Sequence, residues 1–232
     1  MTSPSSPRLR VLLADDHVLV RQGLRAILQQ EGFQVVGEAP DGHTAIKMCI
    51  ILQPEIAILD LSMPLLNGID AAREIRKCSP NTKIILLTMY ADELCVLNAL
   101  RAHITGYVLK NNAFSNLTRA IDAVSRGEIY LSPAVAGTVV NAYLSGATPP
   151  PVDPLSDRER QVLQLIAEGS NMKQVGATLG ISGKTADTHR GRIMHKLSII
   201  STAGLVRYAL KHGLTVDPSS GPADTQGLLG WH

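Results

Sequence analysis

The sequence predicts a protein of α/β class in two parts: a doubly wound sheet of five parallel strands over residues 9–128, then a small all-α domain over residues 154–216. Three observations predict it. Between Leu9 and Arg126, short apolar runs alternate with segments of helical period, five times in series, and parallel strands need crossover helices that cover both faces of the sheet. The stretch "SGATPPPVDP" then breaks the pattern, because its prolines cannot continue a helix and its small residues make poor core. Beyond it, four segments of helical period follow without strand-like alternation.

The five strands are "RVLLA", "QVVGE", "EIAILD", "KIILLT" and "GYVLK". Each is a short apolar run bounded by polar or turn residues, as expected of strands buried on both faces. Between and after them, "VLVRQGLRAILQQ", "HTAIKMCIIL", "GIDAAREIRKC", "ELCVLNALRA" and "FSNLTRAIDAV" carry apolar residues at helical spacing. A further helix, "PAVAGTVVNAYL", opens the segment 129–153 and leads into the Pro-rich linker. The distal helices fall at about 156–168, 171–179, 182–197 and 201–212. Ser156 and Glu159 form a capping box, Asn171 starts the second helix, Gly180 ends it, and Ser182 caps the third. Residues 1–8 and the Pro-, Gly- and Ser-rich tail 217–232 are expected to be disordered, leaving Trp231 without a packing partner.

At 232 residues and 45% hydrophobic content the chain has enough apolar material for two ordinary cores, which excludes a mainly disordered protein. Its net charge of +2 is unevenly placed, since residues 158–211 are rich in Arg, Lys and His. That half suits a polyanion. Cys49, Cys78 and Cys95 are odd in number and lack metal-ligand spacing, so buried reduced thiols and a cytoplasmic location are expected. No stretch reaches the roughly 18 apolar residues of a membrane span, and the N-terminal residues do not form a leader pattern.

Chemistry is expected at the carboxyl ends of the strands. The first strand ends in Asp15 and Asp16, and the third in Asp60. Asp16 can be read as the cap of the next helix, but a second adjacent carboxylate is better explained by a cation between the two. If the first and third strands are neighbours, three carboxylates meet at one crevice, which suits Mg²⁺. Thr88 and Lys110 stand at two further strand ends, where a hydroxyl and an ammonium can contact the peripheral oxygens of a phosphoryl group accepted by Asp60. Singly, each is more often structural or solvated; together and in order they form a set.

The motifs "LLADDH", "LDLSMP", "LLTMY" and "GYVLK" resemble the acidic pair, phosphoacceptor, hydroxyl and lysine motifs of the receiver domain of two-component response regulators, over about residues 9–128. The resemblance implies a flavodoxin-like fold in which Asp60 accepts phosphate from a histidine kinase. It further implies that Asp16, Asp60 and the carbonyl of Ser62 hold Mg²⁺, with Asp15 acting largely through water. Thr88 and Tyr107 would form a switch pair and Lys110 would bind the phosphoryl group. The chain departs from the family at His103 and Ile104, where relatives often carry small residues.

In the distal domain, two short helices about a glycine-containing turn form the helix-turn-helix pattern. On the third helix, Ala186, Arg190, Ile193 and Leu197 share the side facing the bundle, while Lys184, Thr188, Gly191, Arg192 and His195 lie opposite. Basic and hydroxyl groups on an open helix face suit the phosphates and base edges of a major groove. "LSDRERQVLQLIAEG", "LGIS", "THR", "IMHKL" and "LVRYALKHG" resemble the LuxR-type helix-turn-helix domain, which with a receiver makes a response regulator of the NarL/FixJ class. That resemblance implies DNA contacts from Lys184, Thr185, Thr188, His189 and Lys196; Arg192 joins them from the open helix face, and a homodimer is expected on phosphorylation. Gly183, Ala186 and Asp187 depart from the family pattern; Asp187 is expected to pair with Lys184 or Arg190. Gly176 and Gly191 are expected to add flexibility.

The function expected from these features is a phosphorylation-controlled DNA-binding transcriptional regulator, not an enzyme, working with a histidine kinase and without a membrane. The rivals are a protein-binding output module and a Mg²⁺-dependent phosphohydrolase. The phosphohydrolase is disfavoured because "LDLSMP" offers no carboxylate two residues after Asp60.

Overall fold

The computed structural model describes residues 8–89, 91, 93–144 and 153–215. The proposed disorder of the N-terminus and tail, Trp231, and most of the Pro-rich linker lie outside the described residues.

The alternation of runs produces β1 (Arg10–Ala14), α1 (Val18–Gln30), β2 (Gln34–Ala39), α2 (Gly42–Leu52), β3 (Ile56–Asp60), α3 (Gly68–Cys78), β4 (Lys83–Thr88), α4 (Glu93–Arg101), β5 (Gly106–Leu109) and α5 (Ala113–Ser125). A two-residue strand, β6 (Tyr130–Leu131), and α6 (Pro133–Leu144) complete the first domain. The sheet order is β2-β1-β3-β4-β5-β6 and every pairing is parallel. The sheet therefore has six strands where five are expected. Its extra strand pairs Gly106 with Tyr130 and Tyr107 with Leu131, and two residues are too few to display any period.

Period two sorts the continuous apolar runs onto two faces. Val11, Leu13, Ile56, Ile58, Ile85 and Leu87 pack with Leu24 and Leu28 of α1 and with Leu117, Ile121 and Val124 of α5. Leu12, Ala14, Ala57, Leu59, Ile84 and Leu86 face the opposite way, onto α2, α3 and α4. Both faces of β1, β3 and β4 are covered, so no polar residue interrupts those strands until their ends, whereas the edge strand β2 is half-buried and carries Glu38. Cys49 and Cys95 are buried as expected, but Cys78, the last residue of α3, is exposed.

The second domain contains α7 (Asp157–Ala167), α8 (Met172–Leu179), α9 (Gly183–Leu197) and α10 (Thr202–Lys211). The Ser156–Glu159 capping box forms, and Asn171 and Ser182 cap α8 and α9. Gly180 ends α8 at φ 66°, a conformation that favours glycine. Val162, Leu163, Ile166, Val175, Ala186, Ile193, Leu205 and Ala209 make the core.

The domains meet through a polar seam. Arg160, 8% exposed at its side chain, bonds Asp70 of α3 at 2.9 Å, Asp153 at 2.9 Å, the Leu155 carbonyl at 3.0 Å, and also Asp157. Burial works against its charge, but Asp70 and Asp153 keep its pKa above the ordinary arginine value. Lys77 bridges Asp157 at 2.9 Å on the exposed rim. Leu65 of the first domain packs against the core of the second.

Gly176 corrects the flexibility expected of it. A Cβ there would lie 2.8 Å from the Ile181 carbonyl oxygen and 3.0 Å from Gly183 N, so the residue permits the tight approach of α8 to the turn before α9. Gly191 meets nothing within 4 Å. Gly176→Ala should therefore destabilise the second domain by about 1–3 kcal/mol through overpacking, whereas Gly191→Ala should stabilise it by about 1 kcal/mol through helix propensity. Thermal unfolding of the two full-length variants checks the opposite signs.

Candidate functional site

Because β1 and β3 are hydrogen-bonded neighbours, their ends bring the predicted carboxylates together. Ligand atoms of Asp15, Asp16, His17 and Asp60 lie within 4.8 Å of one another. Asp15 and Asp60 are 1% and 2% exposed. Lys110, just past β5, places Nζ 2.8 Å from Asp15 Oδ2 and 2.9 Å from Asp60 Oδ2. These are ion pairs rather than well-angled hydrogen bonds, since both Oδ2 atoms, with Asp16 Oδ1, are buried without a hydrogen-bond partner. Unsatisfied carboxylate oxygens in one crevice are what a hard cation takes as ligands.

The electrostatics follow from burial. Desolvation raises the Asp60 pKa to about 6; Asp15 adds to the rise, and Lys110 and the Ser62 N–H oppose it. Burial also works against the charge of Lys110, yet Asp60 and Asp15 hold its pKa above the usual lysine value. At neutral pH, above the Asp60 value, that carboxyl is mostly ionised beside the Lys110 ammonium.

Two local features hold this geometry. Arg21 of α1 donates to the Asp15 carbonyl at 2.5 Å and to Glu38 of β2 at 3.2 Å. Gly68 opens α3 so close to β3 that a Cβ would lie 2.3 Å from the Asp60 carbonyl oxygen. The helix consequently starts directly beneath the loop that carries Ser62.

Asp16 does not cap α1, which sets aside the alternative reading of that residue. His17 occupies the cap position without a side-chain cap bond, and its N–H donates to Asp15 Oδ1 at 2.8 Å. Sequence reasoning also missed the imidazole of His17, 2.8 Å from Asp16; its position beside the acidic pair was the available signal. Thr88 and Tyr107 are almost fully buried at 0% and 1% exposure. They stand on neighbouring strands, β4 and β5.

On α9, Lys184, Thr185, Thr188, Arg192 and His195 are exposed, while Ala186 and Ile193 are buried. His189 is half-buried, with Nδ1 unbonded among the described residues. Lys196 is tied within its own domain, to Glu159 at 2.7 Å and the Pro154 carbonyl at 3.1 Å. Asp187 lies 3.6 Å from Arg190, a loose pair across an exposed turn.

Residues 11–122 match the model of the response regulator receiver domain, and residues 153–209 that of the bacterial regulatory proteins of the luxR family. The chain is 35% identical to the transcriptional regulatory protein MctR of Rhizobium johnstonii over 209 residues, covering 90% of this chain and 96% of that one. It is 38% identical to the oxygen regulatory protein NreC of Staphylococcus carnosus over 214 residues, covering 89% and 99%. Among solved structures it resembles RcsB from Salmonella enterica serovar Typhimurium bound to promoter rprA with the phosphomimetic BeF3-, at 30% identity and a TM-score of 0.59, covering 87% of this chain and 98% of that one.

The raised pKa of Asp60 makes a stability prediction. Its carboxyl titrates near 6 in the fold against an ordinary 3.8, so between those values the folded state keeps a proton that the unfolded state has released. Stability contributed by this group falls as pH rises through that window and stays low above it. With a chelator present, Asp60→Asn should exceed the wild type in stability above pH 6 by up to about 3 kcal/mol. The gap should close as pH falls towards 4, as urea unfolding at a series of pH values would read.

Proposed function

The chain belongs to the two-component response regulators that join a receiver domain to a LuxR-type helix-turn-helix domain, and from that premise we propose that Asp60 is the phosphoacceptor through which a histidine kinase controls α9. The protein is a DNA-binding transcriptional regulator of a two-component system. The observation that carries the assignment to Asp60 is the Lys110 ammonium, held 2.8 Å from Asp15 and 2.9 Å from Asp60 at the end of β3.

An oxygen of Asp60 attacks the phosphorus of the donor phosphohistidine. The P–O bond forms as the P–N bond breaks, and the electron pair leaves with the imidazole. Lys110 offers its ammonium to a peripheral phosphoryl oxygen where charge accumulates. Asp16, Asp60 and the Ser62 carbonyl, with Asp15 through water, are the residues that would hold Mg²⁺; when bound, it supplies neutralisation of the phosphoryl oxygens. The orphaned oxygens of Asp15, Asp16 and Asp60 support that fit. The acceptor needs an ionised Asp60, so its raised pKa favours transfer at neutral rather than acid pH.

Thr88 follows the phosphoryl group as the hydroxyl contact, and Tyr107 fills or leaves the adjoining space. A ligand shifts such an equilibrium only by contacting one state better than the other. The exposed face of α9 reads DNA, with Lys184 and Arg192 on phosphates and Thr185 and Thr188 nearer the base edges. Half-buried His189 and tethered Lys196 contribute less. A homodimer formed on phosphorylation binds paired half-sites. No helix among the described residues is long and apolar enough to cross a membrane, and the cytoplasm, where DNA and kinase are both reached, is the proposed site of action.

With Mg²⁺ and acetyl phosphate, the full-length protein should gain one acyl phosphate, and Asp60→Asn should abolish it. Mass spectrometry of the intact protein and of its Asp60 peptide checks this; full labelling of the variant sinks the assignment. On DNA, Lys184→Ala should weaken binding to all sequences and reduce the log–log salt slope by about 1. Lys196→Ala should leave that slope nearly unchanged and lower the stability of the second domain instead. Titrations at several salt concentrations separate the two, and a helix whose substitutions alter no DNA binding would favour a protein-binding output.

A further inference from the structure

His103, one of the two departures from the family pattern, lies on a cleft that the chemistry of Asp60 does not use. The helices α3 and α4 end side by side, and Arg76 Nη1 of α3 donates to the Ala102 carbonyl just past α4 at 3.3 Å. Each helix leads into the start of a parallel strand, β4 or β5, so the cleft stands at the edge of the sheet opposite to the acidic cluster. Its volume is about 360 Å³, and its walls are Arg73, Arg76 and Lys77 of α3, Arg101 and His103 at or just past the end of α4, and Asp157 of α7.

Ile104, the other departure, is 4% exposed and closes the turn after α4 with its N–H on the Ala99 carbonyl at 3.2 Å. Packing accounts for it. His103 is exposed and lies at φ 56°, in the left-handed region where glycine costs nothing and other residues are strained. A strained side chain that stays at the surface points to something it meets from outside.

The charges around His103 are out of balance. Arg73 is paired with Asp70 at 2.6 Å, and Lys77 with Glu74 at 2.8 Å and Asp157 at 2.9 Å. Both Asp70 and Asp157 also serve Arg160. Arg76 reaches a carbonyl and, among the described residues, no carboxylate. Lys77, and further Arg160 and Arg73, hold the Asp157 carboxyl below its ordinary pKa against its partial burial, the mark of a positive field. The negative ends of α3 and α4 attract a cation each. Four basic side chains about a single carboxylate exceed that need, and they repel one another unless an anion lies between them.

We propose that the cleft binds a small anion of linked phosphates, inorganic polyphosphate or the phosphate chain of a nucleotide, held by Arg76, Arg101 and Lys77 with His103 at its rim. Guanidinium groups grip phosphate oxygens in pairs, which suits Arg76 and Arg101. Pockets for small molecules run from roughly 300 to 1,000 Å³, so the cleft admits a compact ligand. A DNA duplex is better met by the open face of α9 than by a concavity between helix ends. The bound anion draws Lys77 from Asp157, and Asp157 opposes it by repulsion. One phosphate touches only some of the cations, so affinity rises with the number of linked phosphates.

Calorimetric titration of the full-length protein at low ionic strength, with EDTA to keep cations from the acidic cluster, tests this with sodium tripolyphosphate, orthophosphate, ATP and AMP. Tripolyphosphate should bind about tenfold or more tighter than orthophosphate, and AMP no better than orthophosphate. ATP at or below tripolyphosphate points to the phosphate chain alone and ATP above it to a nucleotide; both sustain the site. Arg76→Ala and Arg101→Ala should each weaken tripolyphosphate about five- to tenfold. His103→Gly should weaken it about two- to threefold while raising the unfolding temperature of the ligand-free protein. Lys184→Ala, on the open face of α9, should stay within about twofold. Asp157→Asn should tighten binding about threefold or more, a gain that a damaged fold cannot give. If Arg76→Ala disturbs the contact of α3 with α4, Asp157→Asn decides. Tripolyphosphate that binds no better than orthophosphate, or whose affinity is indifferent to Arg76→Ala, Arg101→Ala and Asp157→Asn, overturns the proposal. So does an affinity lost with Lys184→Ala, which places the anion on α9. Duplex DNA binding weakened by Arg76→Ala, without any binding of polyphosphate, also overturns it and makes the cleft an extension of the DNA surface.

Discussion

Two carboxylates and one ammonium share a nearly dry crevice at the carboxyl edge of the sheet, and the rest of the structure is arranged around that charge. Asp15 and Asp60 are each at most 2% exposed. Taking a charge out of water costs several kcal/mol, which an excellent partner offsets only in part. Lys110 bridges both carboxylates, but three carboxylate oxygens stay unsatisfied and Asp60 titrates near 6. Orphaned carboxylate oxygens gathered in one crevice are what a hard cation takes as ligands. Only a sheet covered on both faces provides such dryness, and only parallel strands bring the ends of β1, β3 and β5 to the same edge.

The seam between the domains uses the same physics with better compensation. Arg160 is buried among Asp70, Asp153, Asp157 and the Leu155 carbonyl, and Asp70 also binds Arg73 at 2.6 Å. Gln164 is buried with both ends of its amide bonded. Satisfied polar groups of this kind specify one docking geometry without a large apolar interface. A greasy seam of the same area would lack that selectivity.

The fold was legible because its signals are local and cooperative. The runs that became β1, β3 and β4 are uninterrupted because both faces are buried, and the caps at Ser156, Asn171 and Ser182 formed as their sequence spacing predicts. Asp15, Asp60 and Lys110 were legible as a set because strand ends are where polar residues resume. β6 was not, since two residues carry no period. Whether Asp16 caps α1 was left open in the sequence because a cap needs a particular backbone approach: the chain turned so that Asp15 took the His17 N–H instead. Gly176 misled for a related reason, since helix propensity knows nothing of the Ile181 carbonyl that lies across the turn.

By itself, then, the sequence determined the element order, the division into two domains, the acidic and basic residues at strand ends and the basic face of α9, because each depends on spacing along one segment. Tertiary structure alone decided that Lys110 spans Asp15 and Asp60, that Glu159 and Pro154 hold Lys196, that Leu65 is held at positive φ, and that Gln164 reaches the Met63 carbonyl. Those contacts join residues tens of positions apart. Whether a lysine lies free on an open helix face or is spent inside its own domain depends on how distant segments pack, and no period or local propensity records that.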